Sequence, residues 1–180
     1  VGMYMMTVNG QLMFIGYATI NIYPDSRTLA EIAVQTAKVA RRFGVKPKVA
    51  MLSFSNFGTS GEMRTDRIEE AISMARELDP GLIIDGPMQA DTALIEDIQE
   101  NYPFMEFEGP ANVLICPNLA SANIAYKLLQ RVAGAEMTGP ILEGLAKPAH
   151  VLQRDDSVRE VVHMAAICAV DAQRHATQKL

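Results

Sequence analysis

The sequence predicts an α/β protein: an open, mostly parallel sheet with flanking helices. Nearly continuous apolar runs at 48–54, 81–85 and 112–116 have the pattern of strands buried on both faces. Each is followed by a polar loop and then by apolar residues at helical spacing, the alternation that builds parallel sheets through right-handed crossovers. Composition agrees, since 49% hydrophobic residues, 11 Met, 6% aromatics and no Trp suit an aliphatic layered core rather than a sandwich. A chain of 180 residues is long enough to bury one such core.

Taken in order, the apolar runs 1–8 and 11–22 flank Asn9-Gly10, the strongest short signal for a β-hairpin. The chain starts at Val1, without Met and inside an apolar run, so a longer parent protein is expected. Pro24, Asp25 and Ser26 make a loop, and Thr28 with Glu31 offers a capping box. Leu29, Ile32, Ala33, Thr36, Ala37, Ala40 and Phe43 share one helical face, and Gly44 supplies the stop. Lys38, Arg41 and Arg42 are expected on the solvated side of that helix, complementing its dipole. After the strand at 48–54 come a polar loop at 55–62, a helix at about 66–78, and the strand 81–85 ending in Asp85-Gly86-Pro87. A helix at 91–99 and the strand 112–116 follow, then a helix capped by 117–121 and carrying Ile124, Tyr126, Leu128, Leu129 and Val132. Gly139, Pro140, Gly144 and Pro148 forbid a long helix next, while 150–152 reads as a short strand feeding a polar turn at 153–156. Ser157 and Glu160 form a capping box for a last helix whose apolar positions are Val158, Val161, Val162, Ala165 and Ala166.

Ligands of open α/β sheets bind outside the carboxyl ends of the strands, which gathers 53–62, 85–89, 117–123 and 138–143 onto one rim. These segments are rich in Ser, Asn, Gly and Asp, a composition that serves a binding rim or ordinary turns equally well. The turn at 153–157 is more specific. Free backbone N–H groups, the positive end of a helix dipole and the Arg154 guanidinium can all point at one phosphate there. Lys127 and Arg131, four apart on one helix face, and Lys147 are further cations placed for a polyanion.

Other chemistries are argued against. A net charge of −5 is unsuited to nucleic acid, and no segment reaches the roughly 20 apolar residues of a membrane span. Two cysteines, Cys116 and Cys168, make no disulfide framework and fit a reducing cytoplasm. Gly-x-x-x-x-Gly-Lys-Ser/Thr, Gly-x-Gly-x-x-Gly and Gly-x-Ser-x-Gly are all missing, and His150, His163 and His175 lack metal-ligand spacing, so no metal is expected. His163, beside the apolar stripe of the last helix, reads as a packed histidine.

Five stretches together resemble the phosphate acetyl/butyryltransferase family: 48–55 (Lys-Val-Ala-Met-Leu-Ser-Phe-Ser), Asp85-Gly86-x-x-Gln89, 112–119, 121–127 and 139–148. The resemblance runs the length of the chain. It implies the two-lobe fold also found in isocitrate and isopropylmalate dehydrogenases, with 1–148 as the second lobe and 149–180 as a last strand and helix returning to an absent first lobe. It also implies coenzyme A or its acetyl ester as ligand, and a homodimer or larger assembly. The family's acetyltransferases carry Ser-Arg-Gly-Cys-Ser-x-x-Asp at the organising turn; Arg154 matches the phosphate-gripping Arg, Ser157 the second Ser, and Arg131 an arginine of the same site. Glu160 stands at the position of the Asp that deprotonates the thiol, so Arg154 and Glu160 are the catalytic candidates if transfer survives.

Gln153 replaces the first Ser, and Asp155 and Asp156 replace Gly-Cys, two carboxylates that would neutralise Arg154. Gln153-Arg154, together with Ser53-Phe-Ser-Asn-Phe-Gly and Met88-Gln-Ala-Asp, is more similar to the phosphotransacetylase-like module at the C-terminus of large bacterial malic enzymes. That likeness implies a regulatory module that binds acetyl-CoA without acyl transfer, NADP and a divalent metal belonging to absent N-terminal domains. Gln153, Arg154, Ser157, Arg131, Asn123 and Ser55 are the candidate CoA or phosphate contacts. The alternative is a working phosphate acyltransferase.

Overall fold

The structure, a computed structural model, describes residues 1–8, 10–17, 22–58, 66–154 and 156–177. Six strands form one sheet in the order β4-β3-β5-β2-β1-β6. β1 (Gly2–Val8) and β2 (Gln11–Tyr17) pair antiparallel as the hairpin expected, with Val8 opposite Gln11; Asn9 of its turn and 18–21 lie outside the described residues. β2, β5 (Val113–Ile115), β3 (Lys48–Leu52) and β4 (Ile83–Met88) are mutually parallel, so their carboxyl ends share one edge.

Two apolar layers cover the sheet. On one face, α1 (Ser26–Arg42), α2 (Asp66–Leu78) and α6 (Val158–Thr177) pack through Leu29, Ile32, Ile68, Ile72 and Met164 against Phe14, Val49, Val113 and Ile141. On the other, α3 (Ala90–Leu94), α4 (Glu96–Gln99) and α5 (Leu119–Val132) cover Tyr4, Ile15, Ala50 and Leu114. The period-2 alternation of the strands divides these sets, as Phe14 and Ile15 on successive positions show.

Several elements depart from expectation for identifiable reasons. α1 begins at Ser26, not at a Thr28 capping box, because Asp25 is the N-cap and its carboxylate accepts from Thr28 N–H at 2.8 Å. Arg41 and Arg42 are not merely solvated: Arg41 pairs with Asp79 at 2.6 Å, and Arg42 pairs with Glu143 and Asp171. β4 runs on through Gly86-Pro87 to Met88 rather than stopping at Asp85. The helix expected at 91–99 is two short helices, broken at the β-branched Ile95 in an extended conformation.

The larger differences are C-terminal. The loop expected at 138–143 is mostly strand: β6 (Glu136–Leu142) pairs antiparallel with β1, and Gly139-Pro140 sits beside a register shift between Met3 and Met5. Residues 150–152 form no strand; His150 is instead buried by its side chain, accepting from Leu142 N–H through Nδ1 and meeting Asp171 through Nε2. On α6 the apolar stripe is largely uncovered, with Val158 83% and Val162 59% exposed and Met164 the buried residue. On α5, Tyr126 is buried but Ile124, Leu128 and Val132 face out.

Candidate functional site

Because β2, β3, β4 and β5 are parallel, Ser53, Gln89 and Pro117 follow strand ends on one rim, and the register Tyr17, Gly2, Leu142 brings the end of β6 to the same edge. A cavity of about 820 Å³ opens there, lined by Ser53, Phe54, Cys116, Asn118 and Ser121 among others. Asn118 caps α5, its side chain accepting from Ser121 N–H at 2.9 Å, while Ser121 Oγ donates to the Asn118 carbonyl. Arg67 at its wall donates to the carbonyls of Pro24 and Pro117, so this guanidinium stitches α2 to two loops. Burial pushes the Cys116 thiol up to about 12, which removes it as a nucleophile near neutral pH.

Two rim segments turn out to be structural. Asp85 is buried, with one carboxylate oxygen accepting from Gly86 N–H and the other from Glu106 N–H. Gln89 donates its N–H to Asn56 and its amide to the Phe54 carbonyl, tying the loop after β3 to the start of α3. Ser55 is 6% exposed, and its neighbours Ser53 and Phe54 line the cavity in its place. The part of that loop at 59–62 lies outside the described residues.

The structure joins Gln153 and Asn123 through a group of tyrosines that sequence reasoning missed. Tyr4 of β1 lies 4.3 Å, centroid to centroid, from Tyr126 of α5 and 5.9 Å from Tyr17 of β2. Gln153 Nε2 donates to the Tyr4 hydroxyl, and Asn123 Nδ2 donates to the Tyr126 hydroxyl at 3.4 Å. Burial, then the neighbouring phenols, raise the Tyr4 hydroxyl far above its ordinary range, and burial holds Tyr17 at about 12. The hairpin register carried the missed signal: with Val8 opposite Gln11, Tyr4 falls opposite Ile15 and diagonal to Tyr17 on one face.

Arg154 directly follows this anchor, exposed and without an ion-pair partner among the described residues. Asp156 makes no ion pair with it, its carboxylate accepting instead from Gln153 N–H at 2.7 Å; Asp155 lies outside the described residues. Ser157 and Glu160 form the capping box expected, Glu160 accepting from Ser157 N–H at 2.6 Å and Ser157 Oγ from Glu160 N–H at 3.3 Å. Both line a cavity of about 350 Å³ with His163 and with Gln130, the neighbour of Arg131 on α5. Among the described residues no group of three His, Cys, Asp or Glu could hold a metal ion, and no helix is long and apolar enough to cross a membrane.

A mostly parallel sheet with polar loops at the carboxyl ends of its parallel strands is an α/β domain of the open-sheet class. The start of α6 lies toward the other edge, since Ser157 and Glu160 share their cavity with Thr7 and Glu136, which pair beside the start of β2. The family model for phosphate acetyl/butaryl transferase matches residues 1–169. The chain is 45% identical over 163 residues to an NADP-dependent malic enzyme of Salmonella typhimurium, covering 89% of this chain and 21% of the relative. It is 38% identical over 172 residues to a phosphate acetyltransferase of Bacillus subtilis, covering 95% of this chain and 53% of that one. A phosphotransacetylase structure from Streptococcus pyogenes superposes with a TM-score of 0.89 at 38% identity, over 96% of this chain and 54% of the other. The chain therefore belongs to the phosphate acetyl/butyryltransferase family. It spans about a fifth of the malic enzyme and about half of the transferases.

Proposed function

We propose that the chain is the phosphotransacetylase-like module of a malic enzyme, that it binds acetyl-CoA, and that it acts as a regulatory unit silent in acyl transfer. One observation carries this reading. The Gln153 carboxamide, standing where the family's transferases place an acyl-orienting Ser, is spent on the Tyr4 hydroxyl. What remains is a turn with an open Arg154 and a capped helix start, equipped to hold a phosphate-bearing ligand rather than to turn it over. Glu160 is already engaged as the reciprocal cap. Arg154, Gln153, Ser157, Arg131, Asn123 and Ser55 remain the proposed ligand-contact set.

In this reading 1–148 is a second lobe and 149–180 returns to a first lobe lying elsewhere in a longer protein. The uncovered Val158 and Val162 support that docking, as does the chain's 54% coverage of the Streptococcus pyogenes structure. NADP and a divalent metal would sit on other domains of that protein, a cytoplasmic homodimer or larger assembly. The second reading, a working phosphate acyltransferase, is favoured by Arg154, unpaired among the described residues, and by the carboxylate of Glu160 at a helix start.

Thermal unfolding with and without acetyl-CoA tests ligand binding. A ligand at 100 times its Kd stabilises by ~2.7 kcal/mol, and Arg154→Ala should abolish most of that gain. A melting temperature indifferent to millimolar acetyl-CoA would leave only a scaffold role.

A further inference from the structure

A second cavity lined by basic residues lies at the far end of α6. A cavity of about 440 Å³ lies beside the carboxyl end of β6, lined by Arg42, Glu143, Lys147, Asp171, Arg174 and His175 among others. Its two carboxylates are already engaged: Arg42 bridges Glu143 and Asp171, and Asp171 also meets the buried His150 ring. Lys147 and Arg174 are different. Both are exposed, and neither has a hydrogen-bond or ion-pair partner among the described residues. The His175 Nε2 atom, in the same wall, is buried and unpartnered.

We propose that this cavity binds a phosphate or diphosphate group, gripped by Lys147 and Arg174 and hydrogen-bonded by His175. Unengaged cations in one concavity repel each other, and a concave wall focuses their field, so an anion entering it is favoured on both counts. Arg174 offers a planar fork for two phosphate oxygens and Lys147 a mobile point charge. The His175 Nε2, when it carries a proton, donates to the same anion and gains the partner it otherwise lacks. The Arg42 bridge matters as well, because it offsets one of the two carboxylate charges and leaves Lys147 and Arg174 to outweigh the other. The site is independent of the Arg154 turn. Ser157 and Arg174 stand at opposite ends of α6, roughly 25 Å apart at 1.5 Å per residue.

The test is an NMR titration of the chain, following the His175 ring resonances. Inorganic phosphate, pyrophosphate and adenosine 3′,5′-bisphosphate are added at constant ionic strength. A saturable shift of His175 is expected, tighter for pyrophosphate than for phosphate, and weakened about tenfold by Lys147→Ala or Arg174→Ala. Arg154→Ala should leave it unchanged, which separates this site from the ligand site proposed above. Tighter binding of the bisphosphate than of pyrophosphate assigns a nucleotide source, and the reverse order a free phosphate source. A shift reproduced by sodium chloride alone, or one that survives in the Lys147→Ala/Arg174→Ala double variant, overturns the proposal. Both side chains are exposed, so the variants should fold, and circular dichroism verifies that.

Discussion

The Gln153 side-chain amide donates to the Tyr4 hydroxyl, so the turn carrying Arg154 is fastened to the first strand of the sheet across 149 residues of chain. A residue in the organising turn and one in the hairpin thus act as one unit. Tyr4 in turn stacks on Tyr126 of α5, the helix that also presents Asn123 and Arg131.

Tyr4→Phe removes this acceptor while keeping the ring. The expected loss is about 1 kcal/mol of stability, the net worth of a neutral hydrogen bond, read as a lower urea midpoint with an unchanged m-value. Acetyl-CoA affinity should fall as well, since the Arg154 turn loses its anchor. An unchanged affinity would show that the turn is held by other contacts.

The buried phenols make stability sensitive to alkali. Tyr17 is raised from 10.0 to about 12, so between these values the unfolded chain releases a proton that the folded chain keeps. Stability is therefore full below about pH 10 and declines as the pH rises toward 12, by up to ~1.4 kcal/mol per pH unit for one group. Urea unfolding between pH 9 and 11 reads the slope, and Tyr17→Phe should make it shallower, Tyr4, raised further still, carrying the remainder.

Gly16 lies where β2 approaches α1 closely. A Cβ there would press on the side chains of Thr36, Ile115 and Ile32, all within the core. Gly16→Ala should cost ~1–3 kcal/mol by overpacking, measured by thermal or urea unfolding. A neutral effect would mean that Thr36, bonded to the Ile32 carbonyl at 2.7 Å, can move aside.

Much of this was legible in the sequence, and the misses share a cause. α1, α2, β3 and β5 announce themselves because each is covered by the protein's own residues, so period and burial agree. β4 and β6 were cut short or missed because each contains Gly-Pro, which marks a turn in most contexts. Both are the outer strands of the sheet, where proline leaves no ladder partner wanting, and both carry the Gly at a register shift. A Cβ at Gly86 would strike the Met51 carbonyl, and one at Gly139 the Met3 carbonyl, so close backbone approach explains these residues where turn chemistry does not. The capping box at Ser157 and Glu160 was visible because it is a local pattern. The tyrosine group and the Arg42, Glu143, Asp171 and His150 network were not, since their partners lie far apart in sequence and meet only through the topology.

The central claim is that the Arg154 turn holds a CoA ester without transferring its acyl group. Its most direct test is a calorimetric titration of acetyl-CoA into the chain, paired with an assay of inorganic phosphate in samples supplied with acetyl phosphate and CoA. The account predicts saturable heat that Arg154→Ala weakens, and no phosphate above the uncatalysed rate. CoA-dependent phosphate release that disappears in Arg154→Ala would contradict it and make the protein a working acyltransferase.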